Sequence, residues 1–154
     1  MTGAELFVAE LKARGVEWIS TLCGHGLSPL YAACQNAGVR LVDTRNEQTA
    51  AYMAECWGRL SRRVGVCMVS SGVAHANAMT GVVNAYFDGA PMLLITGAGA
   101  LRTAGMGHFQ DLDRWRWHSQ SASMRGLWMC RSASHSSCTK LSPRRSAAGR
   151  VRCT

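Results

Sequence analysis

One acidic side chain and a handful of polar and glycine positions carry the chemistry this sequence can do. Glu47 stands near the end of VRLVDTRNEQT (residues 39–49), where a short apolar run passes through a polar turn into a helical pattern. Elsewhere lie Gly24-His25-Gly26, Ser71-Gly72, His75, Asn77, Gly97-Ala98-Gly99 and Gln110. A carboxyl group partly withdrawn from water can share a proton with a nitrogen base. Taken singly these residues are weak signals. A glutamate opening a helix is often only a partner of the helix dipole, and His25 and His75 read equally well as polar loop and helix-surface residues.

The elements that must position them follow from periodicity. Ala4–Arg14 has helical spacing and stops at Gly15, and Val16–Leu22 reads as a strand ending at Gly24-His25-Gly26. Ser28–Ala37 reads as a helix with Pro29 in its first turn and Gly38 as its stop. Val39–Asp43 is a second strand, and Asn46–Ser61 a helix with Ala50, Met53, Ala54 and Trp57 on one side. Val64–Ser70 is continuously apolar, as a strand buried on both faces should be. Gly72–Asp88 is a small-residue helix suited to lie close to a sheet, and Pro91–Thr96 is a fourth strand. Strands alternating with helices predict an α/β fold, a parallel sheet sandwiched between helices. Right-handed crossovers put the loops after each strand on one edge. That edge gathers His25, Asn46, Glu47, residues 71–77 and residues 97–99. Trp57 and the methionines read as core, and Arg59, Arg62 and Arg63 as a solvated helix end.

The net charge of +8 belongs to one end of the chain. Residues 1–113 hold 8 Lys/Arg against 9 Asp/Glu, whereas residues 114–154 hold 9 Lys/Arg and no acid. The seven cysteines form no C-x-x-C and none has a histidine at zinc-finger spacing, so no metal site is expected. Their odd number and the lack of a signal peptide suggest reduced thiols in the cytoplasm. Cys67, inside an apolar run, reads as core. No apolar run reaches the roughly 18–20 residues that span a bilayer, so no membrane partner is expected.

Four blocks together resemble the N-terminal, pyrimidine-binding domain of thiamine-diphosphate-dependent enzymes of the acetolactate synthase and 2-oxoacid decarboxylase group. They are GVEWISTLCGHG, RNEQTAAYMAECWGRLSRRVGV, SSGVAHANAMTGVVNAYFDGAPMLLITG and GHFQDLD, in family order across residues 1–113. The resemblance implies that Glu47 hydrogen-bonds a ring nitrogen of the cofactor's aminopyrimidine, favouring the imino tautomer that takes the thiazolium proton. It implies cofactor contacts from Gly24, His25, Gly72 and Asn77, and a substrate side lined by Gln110 and His75. Gly24-His25-Gly26 departs from the family's Gly-x-Pro-Gly turn, and Asn46 stands where many members have histidine. The family holds the diphosphate and Mg²⁺ in a second domain on a Gly-Asp-Gly motif, and no Gly-Asp-Gly occurs in this sequence. Its sites form between subunits, implying a homodimer or tetramer acting on a 2-oxoacid or related substrate. The SSGVAHAN and GHFQDLD blocks lean toward an acetolactate-synthase-like branch.

From Arg114 the texture changes: nine serines, three tryptophans and nine basic residues with no helical or strand period. Arg114-Trp115-Arg116-Trp117 can be encoded CGG TGG CGC TGG, which from its third base reads Val-Ala-Leu. Carried through, the shifted frame admits an amphipathic helix and a closing strand. Residues 1–113 are therefore expected to be an incomplete pyrimidine-binding domain. Residues 114–154 are expected to be an out-of-frame, disordered tail, leaving the chain marginally folded and inactive alone. The alternatives are a non-catalytic remnant, a stand-alone small-molecule-binding domain, or a basic Trp/Arg tail for nucleic acid.

Overall fold

The computed structural model describes residues 1–112. The expected tail from residue 114 onward lies outside the described residues.

The alternating pattern folds as eight elements in strict succession. They are α1 (Gly3–Ala13), β1 (Trp18–Leu22), α2 (Ser28–Ala37), β2 (Arg40–Asp43), α3 (Glu47–Ser61), β3 (Gly65–Val69), α4 (Val73–Phe87) and β4 (Met92–Thr96). A short 3-10 turn, Leu101–Thr103, follows. The strands form one sheet in the order β2-β1-β3-β4, every pair parallel. The expected parallel α/β sandwich is the observed one.

Side-chain alternation along β3 and β4 builds two cores. Val66, Met68, Leu93 and Ile95 face α1 and α2, packing with Val8, Leu11, Leu30, Ala33 and Cys34. Cys67, Val69 and Leu94 face the other way, against Ala50, Ala51 and Ala54 of α3 and Ala74, Ala78 and Met79 of α4. The small residues on α3 and α4 let the two helices approach closely. A Cβ on Gly81 would lie 2.6 Å from that of Ala51.

The expected boundaries hold to within one or two residues, and the differences have a cause. Val16 and Val39, expected to open strands, close helices instead. Val16 N–H donates to Leu11 O at 3.0 Å and Val39 N–H to Cys34 O at 2.9 Å. Each apolar side chain is buried after a glycine of positive φ, Gly15 (78°) and Gly38 (71°). The core assignment holds for Met68 and Met79, which are buried, and needs correcting for Trp57, Met1 and Met106. Trp57 is 36% exposed and stands edge-on to Trp18 at 5.5 Å, and Met106 is 74% exposed. The helical stripe that includes Trp57 runs past the end of the core. The arginine-rich end of α3 is more tied down than a simple solvated end. Arg59 pairs with the buried Glu55 at 3.2 Å, and Arg63 donates to Gly15 O at 2.6 Å. On the outer side of α3 and α4, Tyr52, Met79, Val83 and Phe87 line an open groove of about 390 Å³.

Candidate functional site

The chain leaves β1 for β2 on one side, then returns to place β3 on the other. Connections that diverge in this way open a crevice at the carboxyl ends of the two central strands. The loops that border it meet almost backbone to backbone. A Cβ on Gly24 would lie 2.5 Å from that of Ser70, and one on Gly26 would lie 3.0 Å from Ala98 N. Gly97 is packed against the His25 carbonyl, and Ser70 Oγ donates to that same carbonyl at 3.4 Å. Glycine is required here because three loops share the space of one.

Glu47 is the first residue of α3, half-buried at this rim. Asn46 caps the helix, its side-chain oxygen accepting from Gln48 N–H at 2.7 Å. From α4, Asn77 Nδ2 donates to Glu47 Oε2 at 3.0 Å. That bond fixes one carboxylate oxygen, and among the described residues Oε1 carries no hydrogen bond. The charge of Glu47 also reaches into the sheet. Burial pushes the Cys67 thiol up to about 12; the Ser20 hydroxyl opposes this and the Glu47 carboxylate adds to it.

Gly72 precedes α4 with φ +58° and ψ −116°, and a Cβ there would lie 2.7 Å from that of Gln110. Gln110 thus lies directly over the turn that starts α4. Ser71 Oγ donates to Gln110 Oε1 at 2.9 Å, with Ser70 Oγ at 3.5 Å. The loop carrying Gln110 is closed by Asp111, whose Oδ2 accepts from Gly105 N–H at 2.7 Å and Gly107 N–H at 3.2 Å.

The predicted residues fall into one neighbourhood of two clusters, joined through the start of α4. Glu47 meets Asn77; Gln110 meets Gly72 and, through Ser70, the loop of Gly24 and His25. The His25 side chain is exposed and stands edge-on to Phe109 at 6.3 Å. His75 is 1% exposed, so its reading as a helix-surface residue is set aside. From the sequence, Ser71 falls on this edge and Ser70 at the end of the preceding strand, and neither is given a role. Their signal was two consecutive hydroxyls directly after an apolar strand. Among the described residues no group of three His, Cys, Asp or Glu could hold a metal ion, and no helix is long and apolar enough to cross a membrane. The four described cysteines, Cys23, Cys34, Cys56 and Cys67, are free thiols.

The carboxylate anchored by Asn77 and the turn at Gly72, where a Cβ would meet Gln110, both lie at the carboxyl edge of the sheet. Comparison with known proteins gives the family. The family model described as thiamine pyrophosphate enzyme, N-terminal TPP binding domain, matches residues 1–117. Over 112 residues the chain is 42% identical to 2-hydroxyacyl-CoA lyase 2 of Danio rerio and 42% identical to that of Homo sapiens. Each match covers 73% of this chain and 18% of the relative. Acetolactate synthase large subunit IlvG of Mycobacterium tuberculosis is 35% identical over 113 residues, 73% of this chain and 21% of the relative. The chain therefore spans about a fifth of the length of these relatives. By its sequence blocks, its parallel sheet and its family match, the chain belongs to the thiamine pyrophosphate enzymes, whose cofactor is thiamine diphosphate and whose N-terminal TPP-binding domain it carries.

Proposed function

We propose that this chain binds the aminopyrimidine ring of thiamine diphosphate at the carboxyl edge of its sheet, with Glu47 as the group on the ring nitrogen. The observation that carries this reading is the 3.0 Å bond from Asn77 to Glu47 Oε2, which holds the carboxylate at the rim and leaves its other oxygen without a hydrogen bond among the described residues. Gly72 and the Gly24–His25 loop would border the ring, and Gln110 and His75 would lie toward the substrate. When bound, the cofactor supplies carbanion chemistry at a carbonyl carbon. The protein's own part is to hold the ring, keep water from its edge and handle one proton at the Glu47 carboxylate.

The parent activity we infer is making or breaking a carbon–carbon bond next to a carbonyl, on a 2-oxoacid or related small molecule, in a homodimer or tetramer. The SSGVAHAN and GHFQDLD blocks support an acetolactate-synthase-like direction. The higher identity to relatives named 2-hydroxyacyl-CoA lyase 2 supports a second reading, cleavage of a 2-hydroxyacyl thioester. The chain alone is proposed to bind without turning over, since the diphosphate and Mg²⁺ belong to a Gly-Asp-Gly motif absent from residues 1–154. Residues 1–113 are proposed as the binding domain and 114–154 as out-of-frame sequence; coding DNA incompatible with the second reading would refute the latter.

The test is thiamine affinity, measured by equilibrium dialysis on the 154-residue chain. A hydrogen bond to a charged group contributes about 1.5–3 kcal/mol, and about 1.4 kcal/mol is tenfold in affinity. Glu47→Ala and Glu47→Gln should each weaken binding about tenfold or more. Unchanged affinity in both would remove Glu47 from the site.

A further inference from the structure

Gln110 holds a backbone conformation that its residue type disfavours. Its φ is +58°, within a turn in which Asp111 N–H donates to His108 O at 3.0 Å. Positive φ at such a place is ordinarily left to glycine or asparagine. Something outside the turn must hold the side chain where it is, and two contacts do so. Gly72, by lacking a side chain, leaves room for the Cβ and Cγ of Gln110. Ser71, 1% exposed at the end of β3, donates its hydroxyl to Oε1 at 2.9 Å, with Ser70 behind it at 3.5 Å. An amide has one acceptor end and one donor end. With the oxygen held by Ser71, the NH₂ is the end left over, and among the described residues no hydrogen bond engages it.

We infer that Ser71 is a positioning residue that turns the Gln110 amide so that its two N–H groups face the substrate side, making this place selective for an oxygen acceptor. The chemical class it fits is a carboxylate or carbonyl oxygen next to the reacting carbon. A positively charged or donor-only group would meet two N–H groups at the Gln110 amide. The inference rests on the reading of this rim as the thiamine diphosphate site, and it adds the polarity of the substrate pocket to that reading. Ser71 touches neither ligand; it acts through Gln110.

The experiment is side-chain ¹⁵N NMR on the full 154-residue chain, with the Gln110 NH₂ signal assigned by its loss in Gln110→Glu. Pyruvate is the acceptor probe and methylammonium the donor-only control. In the native chain the NH₂ protons should exchange freely with water, show restricted motion, and shift with pyruvate but not with methylammonium. In Ser71→Ala the amide order parameter should fall below about 0.6, the flexible range, and the pyruvate shift should at least halve. Ser71→Thr, which keeps the hydroxyl, should restore both. An order parameter unchanged in Ser71→Ala, or NH₂ protons protected from exchange in the native chain, would overturn the inference. Adding thiamine diphosphate to the same samples separates the two levels. Shifts at Glu47 and Asn77 with an indifferent Gln110 would count against Ser71 alone. A responsive Gln110 with silent Glu47 and Asn77 would count against the cofactor reading.

Discussion

At the scale of single residues, the account turns on what Glu47 can do that a neutral side chain cannot. Glutamine at position 47 can still accept from Asn77 Nδ2, so the α3–α4 contact survives. Alanine cannot, and it leaves Asn77 with an unmet donor. The two variants should therefore separate in stability while agreeing in thiamine affinity. Glu47→Gln should stay within about 0.5 kcal/mol of the native chain and Glu47→Ala should lose about 1 kcal/mol, read from urea midpoints. The identity of this residue was legible in the sequence because it opens a helix after a polar turn at a strand end. Its partner was legible only as a neighbour: resemblance placed Asn77 near the ring, and the structure adds the bond that orients the carboxylate. Ser71 was legible as a position and not as a role, because nothing local says which loop will fold back over it. That contact depends on residues 39 positions apart in the chain.

At the scale of elements, the site is only as well placed as α3 and α4 are against each other and the sheet. Small residues set that distance, and Gly81 is the clearest case. In a helix interior, replacing glycine by alanine ordinarily gains about 0.5–1 kcal/mol. Here the added Cβ would lie 2.6 Å from Ala51 Cβ and 2.8 Å from the Ala51 carbonyl carbon, both of them parts of a packed helix that cannot swing aside. Overpacking of that kind costs about 1–3 kcal/mol, which exceeds the gain. Gly81→Ala should therefore lower the urea midpoint, while the same change at Gly89, where a Cβ meets nothing within 4 Å, acts only through its φ of +62°. Element order and type were legible because strands and helices differ in period and each ends on a glycine or a polar turn. Strand starts were less so. Val16 and Val39 carry the β-branched signal of a strand, yet hydrogen bonds to Leu11 and Cys34 tie them to the preceding helix. Trp57 misled for a related reason: helical spacing reports a face, not how far the core extends beneath it.

At the scale of the whole molecule, the two cores share one sheet, and each holds a buried thiol. Burial pushes Cys34 up to about 11 and Cys67 up to about 12, from an ordinary value of 9.0. The folded state thus keeps protons that the unfolded chain gives up, so the unfolded state binds fewer protons above about pH 9 and stability falls as pH rises. The contribution is complete below pH 9 and is lost progressively toward pH 11–12. Urea midpoints should be steady from neutral pH to about 9 and decline beyond it. The decline should be shallower in Cys67→Ala, whatever that variant's starting stability; an equal slope would remove Cys67 from the effect. The sheet order also places the candidate site. Sequence predicted that the strand ends share an edge, but not that β1 and β3 would be the diverging pair, because strand order depends on which faces the helices cover. The central claim is that the carboxyl edge at β1 and β3 holds the aminopyrimidine ring against Glu47. It is tested most directly by titrating the ¹⁵N-labelled 154-residue chain with thiamine diphosphate and mapping the backbone amides that respond. The account predicts that Glu47, Gly72 and Asn77 shift together and that Glu47→Gln suppresses the response. Shifts confined to the opposite edge of the sheet, or a Glu47→Gln chain that responds as the native one does, would contradict it.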